Sequence, residues 1–375
     1  MRNIGFFAIL FFVGCKSIDP SLRVKTVTIQ PQSQEIRFEE VFSKAKALNL
    51  SGEELPLSVY RVIPLDEGFL ILDGKKQQVG FINSEGDFKT VISSVGESPG
   101  EFLEIWDLKI NPQNNKIFIL DRKVRKLLIF SDSFGFETEI PIKKEYASSL
   151  LSFSVLSGNE ILFQTSGSSG YKFMRYDISS KNFEFKVPID QEFEGLGFGS
   201  DRSMSVLNDQ VSVIYPLSNK IERYDRFLSR KEDLFVDFQG FSITESELKQ
   251  VAYDQNRMFD LIQNDRNKKT HSFGIVELDR YYVISYYLGS FRNGDFLKSI
   301  VEKSTGHTKT YNTIKIGDVE VDLLLMGNGK GDELIFSLNP EKLERMSDSQ
   351  IHALSKKLKI SIDKNSPLLL FCTLK

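Results

Sequence analysis

The chain has 375 residues, 41% hydrophobic and 26% charged, so it can bury a large core and lacks the composition of a disordered chain. A formal net charge of -3 excludes a broad basic surface, and no nucleic-acid partner is expected. Two Cys and three His exclude Cys-rich zinc modules and disulfide scaffolds.

The chain opens with MRNIGFFAILFFVGC. Arg2 supplies a positive n-region and Ile4 to Val13 an apolar h-region. That run is short of the ~20 residues a spanning helix needs, but it suits a secretory signal. Gly14-Cys15 at its end resembles the bacterial lipobox, in which the Cys is acylated and becomes the first mature residue. Phe12 departs from that pattern, which prefers Leu three positions before the Cys. The expected organisation is a signal peptide over 1–14, lipidation at Cys15 and an extended polar tether over 15–35. Membrane contact is then through the anchor alone. No acidic cluster follows Cys15, which points to the periplasmic side of the outer membrane.

Beyond the tether, short apolar runs recur: Gly68-FLIL-Asp73, Lys116-IFIL-Asp121, Glu160-ILFQT, Gln210-VSVIY, Arg280-YYVIS and Glu333-LIFSL. A second run follows each of the first four after a turn, and Ile82, Phe130, Tyr176 and Tyr224 align there. Their spacing of about 47 residues, with four short strands per unit, is that of a propeller blade. None of these runs has the 3.6-residue period of a helical solenoid.

Two segments break the rhythm. Ser242–Asn264 begins with the capping box Thr244-x-x-Glu247 and continues with Leu248, Val251, Met258 and Ile262 on one helical face. Pro340–Lys359 carries Ser347-x-x-Gln350, then Ile351, Leu354 and Leu358. Both predict helical insertions. The C-terminal LLLFCTL lacks a following strand, whereas Lys44–Ser51 reads as an outer strand with none before it. Pairing them closes the ring and removes an exposed edge. The predicted fold is all-β: a six-bladed β-propeller over residues 36–375, with four-stranded antiparallel blades, closed by an N-terminal strand.

Several segments carry a family resemblance: the lipobox, Phe38-EEVFSKAKALNLS, the loop Val95-GESPGE-Phe102 and the closing Ser366-Pro367-LLLF. On them the chain resembles the six-bladed β-propeller lipoproteins common in Bacteroidota, related to NHL and TolB-like propellers, over roughly residues 36–375. The resemblance implies a fold and a place in the cell envelope. Lactonase-like propellers of similar shape hold Ca²⁺ in the central channel on carboxylates and amides from separate blades.

Candidate chemistry is sparse. His271, His307 and His352 have no metal-ligand partners in sequence, and Cys372 sits in an apolar run. Asp73, Asp107, Asp121, Asn208 and Asp322 are the available acids and amides, each explicable by turn or strand-end duty. Thr165–Gly170 reads as a mobile hairpin tip and Gly327–Gly331 as a turn. The basic runs Arg122–Lys126 and Arg266–Lys269 read as solvated loops. Tyr281, Tyr282, Tyr286 and Tyr287 read as packing, with one available to stack on a sugar. In the loop motif, Pro99-Gly100 sets a turn and Phe102 plugs between blades, which leaves Glu101 a structural role. No catalytic residue and no metal ligand is assigned. The expected role is a binding or scaffold module for an envelope protein or glycan, with Arg61 and with Asp107 beside Trp106 on the partner face. The competing reading is a channel-site hydrolase or lyase, lactonase-like and Ca²⁺-dependent.

Overall fold

The computed structural model describes residues 23–156, 160–190, 199–251, 254–263 and 268–375. The chain begins with β1 (Arg23–Thr28), the one-turn helix α1 (Phe38–Val41) and β2 (Phe42–Asn49). Blade one is β3 (Val59–Pro64), β4 (Phe69–Asp73), β5 (Gln78–Ile82) and β6 (Phe88–Ile92). Blade two is β7 (Asp107–Ile110), β8 (Ile117–Asp121), β9 (Lys126–Phe130) and β10 (Phe136–Pro141). After α2 (Lys144–Ala147), blade three is β11 (Leu150–Leu156), β12 (Glu160–Thr165), β13 (Tyr171–Asp177) and β14 (Asn182–Pro188). Blade four is β15 (Met204–Leu207), β16 (Gln210–Ile214), β17 (Lys220–Tyr224) and β18 (Arg230–Asp237).

Helices α3 (Glu245–Val251) and α4 (Gln255–Ile262) follow. Blade five is β19 (Thr270–Glu277), β20 (Tyr281–Leu288), β21 (Asp295–Glu302) and β22 (Thr308–Tyr311). The hairpin β23 (Ile314–Ile316) and β24 (Val319–Val321) leads into blade six. That blade contains β25 (Leu324–Asn328), β26 (Glu333–Leu338), helices α5 (Pro340–Glu344) and α6 (Asp348–Leu358), and β27 (Leu368–Leu374).

Both faces of a blade press on neighbouring blades, so middle strands such as β4 and β8 carry continuous apolar runs without alternation. Every residue of β8 is buried, whereas the outer strand β10 is mostly exposed. Six hydrophobic clusters result, one between each successive pair of blades. The two insertions fold as the sequence predicts. Thr244 and Glu247 bond each other's backbone N–H at 2.8 and 3.2 Å, and Ser347 and Gln350 do the same ahead of α6. Met258 of α4 and Leu354 of α6 are fully buried.

β2 closes the ring. It pairs antiparallel with β27 from Phe42 opposite Leu374 to Asn49 opposite Leu368. The segment before it departs from the expected tether. β1 lies parallel on β18, from Arg23 opposite Glu232 to Thr28 opposite Asp237, so a strand does precede the closing one. Ile29 is fully buried, Gln34 N–H donates to Thr310 O at 3.0 Å, and Lys315 N–H donates to Ile36 O at 2.9 Å. Residues 23–37 thus strap blades four, five and the β23–β24 hairpin. The exposed polar positions hid this, because an edge strand is held by backbone hydrogen bonds and needs only Val27 and Ile29 on its inner side. Cys15 and the rest of the leader lie outside the described residues. Among the described residues no helix is long and apolar enough to cross a membrane.

Candidate functional site

In a four-stranded antiparallel meander the first strand starts, and the second ends, on the same face. The innermost strands β3, β7, β11, β15, β19 and β25 therefore all start on one face, the upper one. In four of them the pairing register slips by one residue, at Tyr60, Leu151, Phe273 and Met326. A bulge re-aims the side chain of the extra residue. All four side chains line cavities near the upper ends of these strands.

On the axis is a cavity of about 200 Å³, lined by Arg61, Lys109, Phe153, Asp201, Arg202 and Met326 among others. Arg61 of β3 lies 3.2 Å from Asp107 of β7 and is also ion-paired with Asp201. Lys109 lies 3.3 Å from Asp107. Asp201 further accepts from the Tyr60 hydroxyl at 3.1 Å. Burial alone would raise the Asp201 pKa, but Arg61, Arg202 and Lys109 outweigh it and hold the carboxyl below its usual value. Burial and repulsion from Arg61 lower Lys109 to about 8.

The dipeptide Asp201-Arg202, just ahead of β15, spans this cavity. Arg202 donates to Tyr60 O of blade one at 2.7 Å and to Leu325 O of blade six, and its own carbonyl accepts from Ile275 N of blade five at 2.9 Å. A Cβ on Gly274 would come within 2.9 Å of Arg202 Cβ, so the close approach requires glycine there. The dipeptide is a plug that ties four blades together. Both channel carboxylates are neutralised by cations, an arrangement unlike the open oxygen cage a Ca²⁺ ion takes. Among the described residues no three His, Cys, Asp or Glu side chains are grouped to hold a metal ion.

Beside the plug, between blades five, six and one, is a second cavity of about 310 Å³. Tyr60, Phe273, Tyr287, Phe296, Lys298 and Met326 form its working surface. Tyr287 and Phe296 lie 4.7 Å apart, and Phe273 meets Phe296 edge-on at 5.5 Å. Lys298 is 1% exposed, its ammonium 5.1 Å from the Phe296 ring. Burial lowers the Lys298 pKa to about 8 despite Asp322. A third, shallower cleft of about 650 Å³ between blades two and three holds Trp106 amid Arg122, Lys123, Arg125 and Lys144. Arg122 stacks 4.0 Å over the indole, whose N–H donates to Leu151 O at 2.7 Å.

The residues named from the sequence fare unevenly. Arg61 and Asp107 do meet, but as a buried ion pair between neighbouring blades one and two and not on an outer face. Glu101 accepts from Ser98 N at 3.0 Å, and Phe102 is fully buried between blades one and two. Asp73 and Asp121 each accept backbone N–H groups from both a turn and a preceding loop. Asn208 takes the positive φ of a tight turn, and Asp322 pairs with Lys342. His352 is exposed on α6. His271 is buried, donates from Nε2 to Gly289 O at 2.8 Å, and burial lowers it to about 4, so it is neutral at pH 7. Cys372 is buried, and burial raises its thiol pKa.

Two expectations are corrected. Thr165 and Ser166 are buried rather than a mobile tip, because Ser166 N bonds Ser149 O at 2.7 Å. The basic run of blade two is only partly solvated: Lys126 is buried against Glu139 at 3.0 Å, and Arg122 covers Trp106. Of the second run, Lys269 is buried against Glu247 at 3.0 Å, and Arg266 and Asn267 lie outside the described residues. The sequence reading missed Asp201, Arg202, Phe273, Phe296 and Lys298. The register slips that aim Tyr60, Phe273 and Met326 leave no local sequence mark.

The family described as 6-bladed beta-propeller (DUF5128) matches residues 21–336. No curated protein matches the chain in sequence. Among solved structures, a Bacteroides fragilis protein described as exported superposes with a TM-score of 0.72 at 19% identity, covering 94% of this chain and 99% of that one. A Bacteroides vulgatus member of the duf4221 family gives 0.57 at 10% identity, over 89% and 97% of the two chains. At these identities the likeness concerns the fold.

Proposed function

The chain belongs to the DUF5128 six-bladed β-propeller family, and from that premise we propose that it is a lipid-anchored envelope module that binds a protein or glycan through its upper face. One observation carries this reading. Bulges in the innermost strands of blades one, five and six turn Tyr60, Phe273 and Met326 onto one open cavity, while the channel acids beside it are neutralised and plugged. An aromatic, largely pre-formed cavity suits recognition. Acid–base or metal chemistry would instead need channel carboxylates free to titrate or ligate.

The strap supports a matching orientation. β1 starts at Arg23 beside the lower end of β18, on the face opposite the cavities. An acyl group on Cys15, few residues upstream, would hold the lower face to the membrane and turn the upper face away from it. The description of a structural relative as exported fits this placement.

The test is affinity retention from native envelope extract on immobilised full-length protein, compared with F273A and W106A variants that remain folded. A partner retained by wild type and lost by one variant supports the reading. Equal retention by all three refutes it. Turnover of a lactone or glycan that D107N abolishes, with or without added Ca²⁺, replaces the binding module with an enzyme.

A further inference from the structure

We propose that the cavity between blades five, six and one binds a carboxylate-bearing sugar ring, a uronic acid unit, with Lys298 taking the carboxylate and the Tyr287–Phe296 pair stacking on the ring. The proposal rests on the upper face being a binding face and names what that face takes.

Charge comes first. Lys298 Nζ is buried and makes no hydrogen bond, with Asp322 no nearer than 3.8 Å. Asp322 is itself held by Lys342 at 2.5 Å, so its charge is already shared. Arg202, also at the cavity wall, donates to two carbonyls. Two cations thus border a small cavity with no carboxylate committed to either at hydrogen-bond distance. An ammonium taken out of water without a partner is costly, and a ligand anion supplies what is missing.

Shape and polarity then narrow the anion. At about 310 Å³ the cavity is at the lower end of ligand sites, room for one ring with its substituents. Tyr287, stacked on His271 through one face, and Phe296 contribute aromatic surface, whereas Ser58, Ser285 and Asn339 offer polar groups at the wall. Asn339 Oδ1 accepts from Val59 N at 3.2 Å and Ser337 Oγ at 3.1 Å, which leaves its amide nitrogen to donate to a ligand. Polar donors among aromatic faces match a hydroxylated ring better than a plain aromatic acid. The charged and polar groups of this cavity come from segments up to 281 positions apart in sequence, Ser58 and Asn339 being the extremes.

The experiment is calorimetric titration of the full-length protein in detergent with sodium glucuronate, glucose and sodium benzoate, using wild type, K298M and F296L. Glucuronate should bind wild type at least about tenfold tighter than glucose, the discrimination one charge-assisted hydrogen bond gives. K298M should lose that tenfold while melting no lower than wild type, because it removes a buried ammonium that makes no hydrogen bond and lies 3.8 Å from its nearest carboxylate. F296L should weaken both sugars. Equal binding of glucose and glucuronate, or unchanged glucuronate binding by K298M, overturns the proposal. Benzoate binding as tightly as glucuronate overturns its sugar component and leaves an aromatic-acid site. Retention of an envelope partner by a protein that binds no glucuronate rejects this inference alone. Loss of both rejects the binding reading with it.

Discussion

Replacing Arg61 by Leu tests whether the channel acids are structural. In the wild type Arg61 sits 3.2 Å from Asp107 and also pairs with Asp201, and both acid side chains are at least nine-tenths buried. The R61L substitution would leave two buried carboxylates without their shared cation, with Lys109 at 3.3 Å from Asp107 and the charge of Arg202 near Asp201 remaining. Removing one partner of a buried ion pair costs about 3–5 kcal/mol, because the other charge stays desolvated. The same range is expected here for R61L at neutral pH, measured as the shift in urea midpoint at constant m-value. The sign of its pH dependence is fixed by Asp201. With Arg61 present its folded pKa is held below the unfolded value, so it stabilises at pH above about 3.8 and loses that contribution as pH falls. Without Arg61 only Arg202, Lys109 and the Tyr60 hydroxyl oppose burial, so the folded pKa moves up from its wild-type position and the R61L deficit shrinks on acidification as Asp201 takes up a proton. A double variant R61L/D201N should recover part of the loss at neutral pH. An R61L protein within about 1 kcal/mol of wild type, or a deficit constant with pH, would refute the reasoning.

Other perturbations probe separate parts of the fold. Glu222 is buried among Lys172 at 2.5 Å and Lys220 and Arg230 at 2.9 Å; these cations outweigh burial and lower its pKa from 4.5 to about 2. Its stabilisation is complete above 4.5 and lost as pH falls towards 2, so E222Q should flatten that limb of the stability–pH curve, by up to about 3 kcal/mol. Deleting residues 42–49 removes β2 and opens blade six, and light scattering should show aggregation of the exposed β27 edge. Deleting residues 23–28 uncovers only the outer edge of blade four and should lower the melting temperature without loss of the fold; aggregation as severe as that of the first deletion would contradict the topology. C15A should shift the protein from the membrane to the soluble fraction or leave an uncleaved precursor, and continued detergent partitioning of a processed form would exclude the anchor.

The repeat was legible because its signal is local. The second strands of blades one to three are buried on both faces, so FLIL, IFIL and ILF are continuous apolar runs, and the spacing of Ile82, Phe130, Tyr176 and Tyr224 gives the length of one blade. Capping boxes at Thr244 and Ser347 marked the insertions for the same reason: partner and cap are three residues apart. Closure by β2 followed from counting strands at the two ends of the repeat. The strap was invisible because β1 is held by backbone hydrogen bonds, which any side chains allow, and four of its six residues in succession face solvent.

The candidate site lay beyond sequence for a geometric reason. A propeller builds its axis and upper face from one or two residues per blade, so Arg61 meets Asp201 across 140 positions and Arg202 reaches Leu325 across 123. Sequence determines which residues are apolar and how often the pattern returns. Whether Tyr60, Phe273 and Met326 point into a core or a cavity turns on one-residue slips in pairing. Such slips are set by the tilt and packing of neighbouring blades, and only the closed ring brings those blades together.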